Sequence, residues 1–216
     1  MPDSGVCSHR FAEAFVRALG PVARTGLTAC VLDVGVGTAR IPIEICTRRA
    51  DIAITGVDSQ PSILRRAREE IESAGLTGAI RVQLADACLL PFPDASFDAV
   101  ISNSLIHHLS RRHEALPEMV RVLRPGGLLF VRDSLPHADA AIIARTLLRN
   151  AVNTGRRIDR TCVPSPVSLD EARQLAAEAG LPAEWVRPCG LRHWLLSGRL
   201  VIGAGALHPG SCSRTV

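Results

Sequence analysis

Three aspartates close three successive apolar runs: Asp33 in "VLDVGVGTAR", Asp58 in "ITGVD" and Asp86 in "VQLADA". The first is followed by Gly35 and Gly37. A strand that ends in a glycine turn and leads into a helix brings bare backbone close to a ligand. A dinucleotide fingerprint, G-x-G-x-x-G, would need a third glycine where this chain has Arg40. A carboxylate at Asp58, the end of the second run, can accept hydrogen bonds from both hydroxyls of a ribose. Three carboxylates at adjacent strand ends would repel a phosphate. They suit a ligand that combines an adenosine with a positive charge.

A second group follows the fourth apolar run, in "ISNSLIHHL". His107 and His108 stand just beyond that strand, where ligands bind in open α/β sheets. Of the two, His107 is the candidate base for an acceptor that must lose a proton. Asn103 lies at the same strand end. Asp133 and Ser134, after the fifth run, read as turn residues on the same side of the sheet. Asp98, in "FDAV", reads as a structural turn acid, and Leu89, Leu90, Pro91 and Phe92 as packing residues.

Composition removes several alternatives. The chain has 216 residues, and all 25 of its Lys and Arg positions are Arg. Without Lys there is no P-loop GK[ST] and no Schiff-base or kinase-type lysine. Tyr is absent too, which excludes a Tyr/Lys acid–base pair. The net charge of +4 is dispersed and aromatics make up only 3%, so nucleic acid is not expected as a partner. The seven cysteines form no CxxC and no zinc-ligand spacing, so they read as reduced, small apolar residues and no metal is expected. No apolar run approaches the length of a membrane span, and "MPDSGVCSHRF" lacks the apolar stretch of a signal peptide. A cytoplasmic setting with no membrane contact is therefore expected.

Residues 9–19 place Phe11, Phe15 and Leu19 on one helical face, stopped by Gly20-Pro21. The glycine turn leads into a helix from about 38 to 49, with Pro42 in its first turn. Pro61 opens a helix that Gly75 stops. Strands are expected over residues 52–58, 79–87, 97–103 and "GLLFVRDS", with a helix over "EALPEMVRVL" between the last two. This alternation predicts an α/β fold, a Rossmann-like doubly wound parallel sheet. Residues 138–151 read as a helix, followed by a polar connection. Ser168 caps a further helix. "AEWVRPCG" and "RHWLLSGRL", joined by a short turn, predict an antiparallel hairpin. The whole reads as one domain over residues 1–200, with 201–216 a flexible tail.

The run "VLDVGVGTARIPIEI…ITGVDSQPSILRRA…VQLADACLLPFPDASFDAVISNSLIHHL…MVRVLRPGGLLFV" resembles the class I S-adenosylmethionine (SAM)-dependent methyltransferases, in their small-molecule branch. The resemblance covers about residues 9–199. It implies a seven-stranded, mostly parallel sheet with an antiparallel last strand. It also implies SAM as cofactor and a small-molecule methyl acceptor. Asp33 would order the turn and help hold the methionine amino group. Gly35 and Gly37 would admit the nucleoside, Asp58 would take the ribose, and Asp86 with the Ala87 amide would read the adenine edge. Asn103 would face the methionine end. Ala39 departs from the usual third glycine, and Gln60 from a common helix-capping Ser. Two other readings stay open: a non-catalytic SAM-fold binding module, and a nicotinamide oxidoreductase, against which the broken fingerprint counts.

Overall fold

A computed structural model describes residues 4–21, 28–136 and 165–200. The expected helix over 138–151, the polar connection after it and the expected tail over 201–216 lie outside the described residues.

The chain runs α1 (Ser4–Leu19), β1 (Ala29–Val34), α2 (Arg40–Arg48), β2 (Ile52–Asp58), α3 (Pro61–Ser73), β3 (Ile80–Leu84) and β4 (Phe97–Asn103). A 3-10 turn, Ile106–His108, precedes α4 (Arg112–Val122) and β5 (Leu123–Ser134). Next come α5 (Leu169–Glu178), a second 3-10 turn (Ala183–Trp185), β6 (Val186–Cys189) and β7 (His193–Arg199). The strands form one seven-stranded sheet in the order β3-β2-β1-β4-β5-β7-β6. β1 to β5 pair in parallel, while β7 is antiparallel to both β5 and β6. The expected hairpin and the doubly wound sheet are both present.

Each face of the sheet carries its own core. On one, Phe11 and Phe15 of α1 meet Phe130 of β5 edge to face, beside Ile45 of α2 and Leu64, Ala67 and Ile71 of α3. Burying each such ring is worth about 2–3 kcal/mol. On the other, Leu116 and Met119 of α4 and Ala172, Leu175 and Ala176 of α5 pack on Leu129, Val131, Trp194 and Leu196. Ser168 caps α5 by accepting from the Glu171 amide at 3.1 Å, as its position predicts. Gln60 makes no side-chain cap for α3.

Several expected boundaries move. The third strand ends at Leu84, so Asp86 is not its terminal residue; it lies in a loop, bridged to Leu89. Asp98 lies inside β4, where it accepts from the Cys30 amide at 2.8 Å and from Arg124 at 2.5 Å. It ties three neighbouring strands together, and its role is structural as expected. Asp133 and Ser134 are the last residues of β5 rather than a turn beyond it, because the hairpin strand β7 extends the pairing to Ser134 opposite His193.

Candidate active site

β1 is flanked by β2 on one side and β4 on the other, and their connections leave in opposite directions. This is the switch point at which open α/β sheets leave a crevice beyond the strand ends. A cleft of about 440 Å³ opens there, within the range of small-ligand sites. Its walls include Gly35 and Gly37, Asp58, Ala85 to Ala87, and Asn103 to Leu105 with His108.

The glycine turn is fixed by β2. Gly35 N–H and Val36 N–H both donate to the Val57 carbonyl at 2.9 Å, and Gly37 N–H donates to Asp58 Oδ2 at 3.2 Å. Gly35 (φ 79°) and Gly37 (φ 56°) are left-handed, a region closed to most side chains. They differ in surroundings. A Cβ on Gly35 would strike the Leu105 side chain at 2.9 Å, whereas a Cβ on Gly37 would meet no atom of the described residues within 4 Å. Ala39, where a third glycine was expected, is itself left-handed at φ 61° and fully buried.

The acids divide by environment. Asp33 is 2% exposed, and its carboxylate has no hydrogen-bond partner among the described residues. Burial, and secondly the charge of Asp58, push its carboxyl up to about 8. It is not among the lining residues, but its chain neighbours Val34 and Gly35 are. Asp58 accepts from Gln60 N–H at 3.0 Å as well as from Gly37, so it organises the turn and the start of α3. Asp86 lines the cleft and accepts from Cys88 N–H at 2.9 Å and Arg111 at 2.7 Å.

At the other end, Asn103 Oδ1 accepts from Arg132 Nε at 2.8 Å. Arginine only donates, so Oδ1 is the Asn103 atom turned to Arg132, and the NH₂ remains as a donor on a residue that lines the cleft. Arg132 is buried, with its guanidinium 4.9 Å from the centre of the Phe11 ring. Ser104, at φ 58°, turns the chain out of β4 while its N–H donates to the Arg132 carbonyl at 2.9 Å.

His108, and not His107, forms cleft wall. His107 is anchored beside it. Its Nδ1 pairs with the fully buried Asp133 carboxylate, which also accepts from the His107 N–H at 3.3 Å and the Ser134 N–H at 2.5 Å. A carboxylate acceptor at Nδ1 leaves Nε2 as the ring atom with a free lone pair. The two imidazoles stack at 4.0 Å between centres. Burial, and then the neighbouring His107, hold His108 below the ordinary histidine range, partly offset by Asp133. Sequence reasoning placed both histidines at the strand end but not the partnership with Asp133. That contact joins β5 to the turn after β4 and depends on strand register.

Among the described residues no group of His, Cys, Asp and Glu is arranged to hold a metal ion, and no helix is long and apolar enough to cross a membrane.

Residues 32–131 match the family model described as a methyltransferase domain. A 27-O-demethylrifamycin SV methyltransferase of Amycolatopsis mediterranei is 34% identical over 155 residues, 71% of this chain and 54% of its own length. An O-methyltransferase of Pyrenophora dematioidea is 33% identical over 155 residues, 69% of this chain and 53% of its own. The crystal structure of a SAM-dependent methyltransferase from Aquifex aeolicus shares the fold, with a TM-score of 0.64 at 19% identity, over 92% of this chain and 94% of that one. With the switch-point cleft, the glycine turn and the antiparallel seventh strand, these similarities give residues 32–131 a methyltransferase domain, on the fold shared with SAM-dependent methyltransferases. The chain spans about half the length of the curated relatives it matches.

Proposed function

We propose that the protein transfers a methyl group from SAM to a small-molecule acceptor. The observation that carries this reading is the pairing of the Asp33 carboxyl, 2% exposed and without a hydrogen-bond partner among the described residues, with an open cradle at Gly37 just beyond β1. A buried carboxyl without a partner is costly unless a cation meets it. A glycine whose Cβ would enter empty cleft keeps room for a ligand. Phosphate would meet the Asp58 and Asp86 carboxylates in this cleft, which speaks against a nicotinamide dinucleotide.

When bound, SAM supplies a methyl group already activated on a sulfonium. The chain's residues then have three tasks. Asp33 faces the methionine ammonium, Asp58 accepts from the ribose hydroxyls, and Asp86 with the Ala87 amide reads the adenine edge. Asn103 offers its NH₂ to the methionine end. Orientation and exclusion of water supply most of the rate gain, because the leaving group needs no further activation. For an acceptor that must lose a proton, the base we assign is His107 Nε2, which serves an acceptor seated at the edge of the cleft beside His108, with Asp133 holding the ring orientation and stabilising the imidazolium. Burial holds His108 below the ordinary histidine range, which disfavours a positive charge on this wall beside a cationic sulfonium. One relative is named an O-methyltransferase and another a methyltransferase of a 27-O-demethyl compound, and an oxygen acceptor is compatible with this base.

The test is incubation with isotopically methyl-labelled SAM and a metabolite extract, followed by mass spectrometry. Label in a small molecule supports the reading. Tight binding of S-adenosylhomocysteine with no labelled product from any extract would favour a binding module instead.

A further inference from the structure

We infer that Arg111 is a positioning residue for cofactor recognition. It holds the Asp86 carboxylate so that the free lone pairs face the purine 6-amino group. The inference rests on the methyltransferase reading above.

The loop that carries Ala85, Asp86 and Ala87 forms one wall of the cleft, and His108 and Leu109 belong to the facing segment. Arg111 ties the two together twice. Its Nη2 donates to Asp86 Oδ2 at 2.7 Å, and its backbone carbonyl accepts from Cys88 Sγ at 3.4 Å. Cys88 in turn donates its N–H to Asp86 Oδ1 at 2.9 Å. The guanidinium is held on its other side by Glu114 Oε2 at 2.5 Å. Asp86, Cys88 and Arg111 thus close a ring across two segments that are far apart in sequence.

The worth of this arrangement is not stability. The Asp86 and Arg111 side chains are 51% and 52% exposed, and exposed ion pairs contribute little to folding. Its effect is geometric. A carboxylate offers about four lone-pair directions, and two are taken here by Cys88 and Arg111. With both oxygens held, the carboxylate plane cannot rotate away from the cleft. A donor from the ligand then meets a fixed acceptor, which lowers the ordering cost of binding.

The experiment compares calorimetric affinities for S-adenosylhomocysteine and for its analogue carrying hydrogen in place of the 6-amino group. The wild type is expected to prefer the amino compound by about tenfold, the value of one hydrogen bond to a charged group. Arg111→Ala should cut that preference to about threefold or less while leaving affinity for the deamino analogue unchanged. Arg111→Lys, which restores charge but not the fork, should fall between the two. The wild-type preference should also shrink as salt rises, because the pair is exposed. Thermal melts of both variants should match the wild type.

An unchanged preference in Arg111→Ala overturns the inference. So does an increased one, which would mean that Arg111 competes with the ligand for Asp86. Equal loss of affinity for both compounds would show a general structural effect and also overturns it. A wild type that binds both compounds equally removes the recognition that Arg111 is said to support. A wild type that binds neither overturns the cofactor reading itself and is distinguishable from all of these.

Discussion

Asp33→Asn should make the free protein more stable and the cofactor complex weaker, and the first effect should depend on pH. Burial and the nearby Asp58 push the Asp33 carboxyl up to about 8, whereas an unfolded chain releases that proton near pH 4. Between these values the folded state binds more protons than the unfolded state. Stability therefore falls as pH rises, by up to about 1.4 kcal/mol per pH unit, and levels off above about pH 8. Asparagine has the same shape and no proton to lose. The stability gap between variant and wild type should widen from about pH 5 to about pH 8. The full span would give on the order of 5 kcal/mol; water entry and local relaxation bring the expectation to about 2 kcal/mol. Urea titrations at several pH values measure it. S-adenosylhomocysteine affinity should fall by about 10-fold to 100-fold, because a charge-assisted bond to the ammonium is lost. In the wild type below about pH 8, binding should release a proton, visible as a heat that varies with the buffer's ionisation enthalpy. Parallel stability curves for the two proteins, or an unchanged affinity, would refute this reasoning.

Three further outcomes follow from the same geometry. Gly37→Ala should lower stability by only about 1 kcal/mol, the cost of a left-handed Ala, yet abolish detectable S-adenosylhomocysteine binding because its methyl fills the cradle; comparable affinity would mean that the ligand does not approach there. Asp58→Asn should weaken S-adenosylhomocysteine by about 10-fold or more and also cost about 1 kcal/mol in a denaturant melt, since the side chain holds both Gly37 and Gln60 N–H; a loss under about threefold would reject the ribose role. His107→Ala should reduce turnover of the acceptor found by labelling by about 100-fold or more while cofactor affinity stays near wild type. Unchanged turnover with a lower melting temperature would make the His107–Asp133 pair a packing feature.

The sheet, its glycine turn and its last hairpin could be read from the sequence because each has a local signature. Apolar runs alternate with helical patterns, Gly35 and Gly37 interrupt the first run, and Ser168 stands before an acidic first turn. What escaped depends on contacts between distant segments. The partnership of His107 with Asp133 requires β4 and β5 to lie side by side in one register. Gly56, inside β2, looks like an ordinary weak point in a strand, yet a Cβ there would meet Val36 of the turn at 2.5 Å, so its absence seats the loop. Arg111 and Arg132 are two among 25 arginines, and nothing in their spacing marks them as neighbours of Asp86 and Asn103. Asp86 lies two residues beyond the end of β3, although the alternation in the sequence continues past the point where the strand stops pairing. Ala39 shows the reverse case: the third glycine is missing, but the left-handed turn it would serve is retained.

The most direct test of the central claim is a calorimetric titration of the purified chain with S-adenosylhomocysteine, run beside one with NADH. The switch-point cleft, the unpartnered Asp33 carboxylate and the open face of Gly37 predict saturable binding of S-adenosylhomocysteine at one site per chain and no heat from NADH. Binding of NADH with none of S-adenosylhomocysteine would contradict the account.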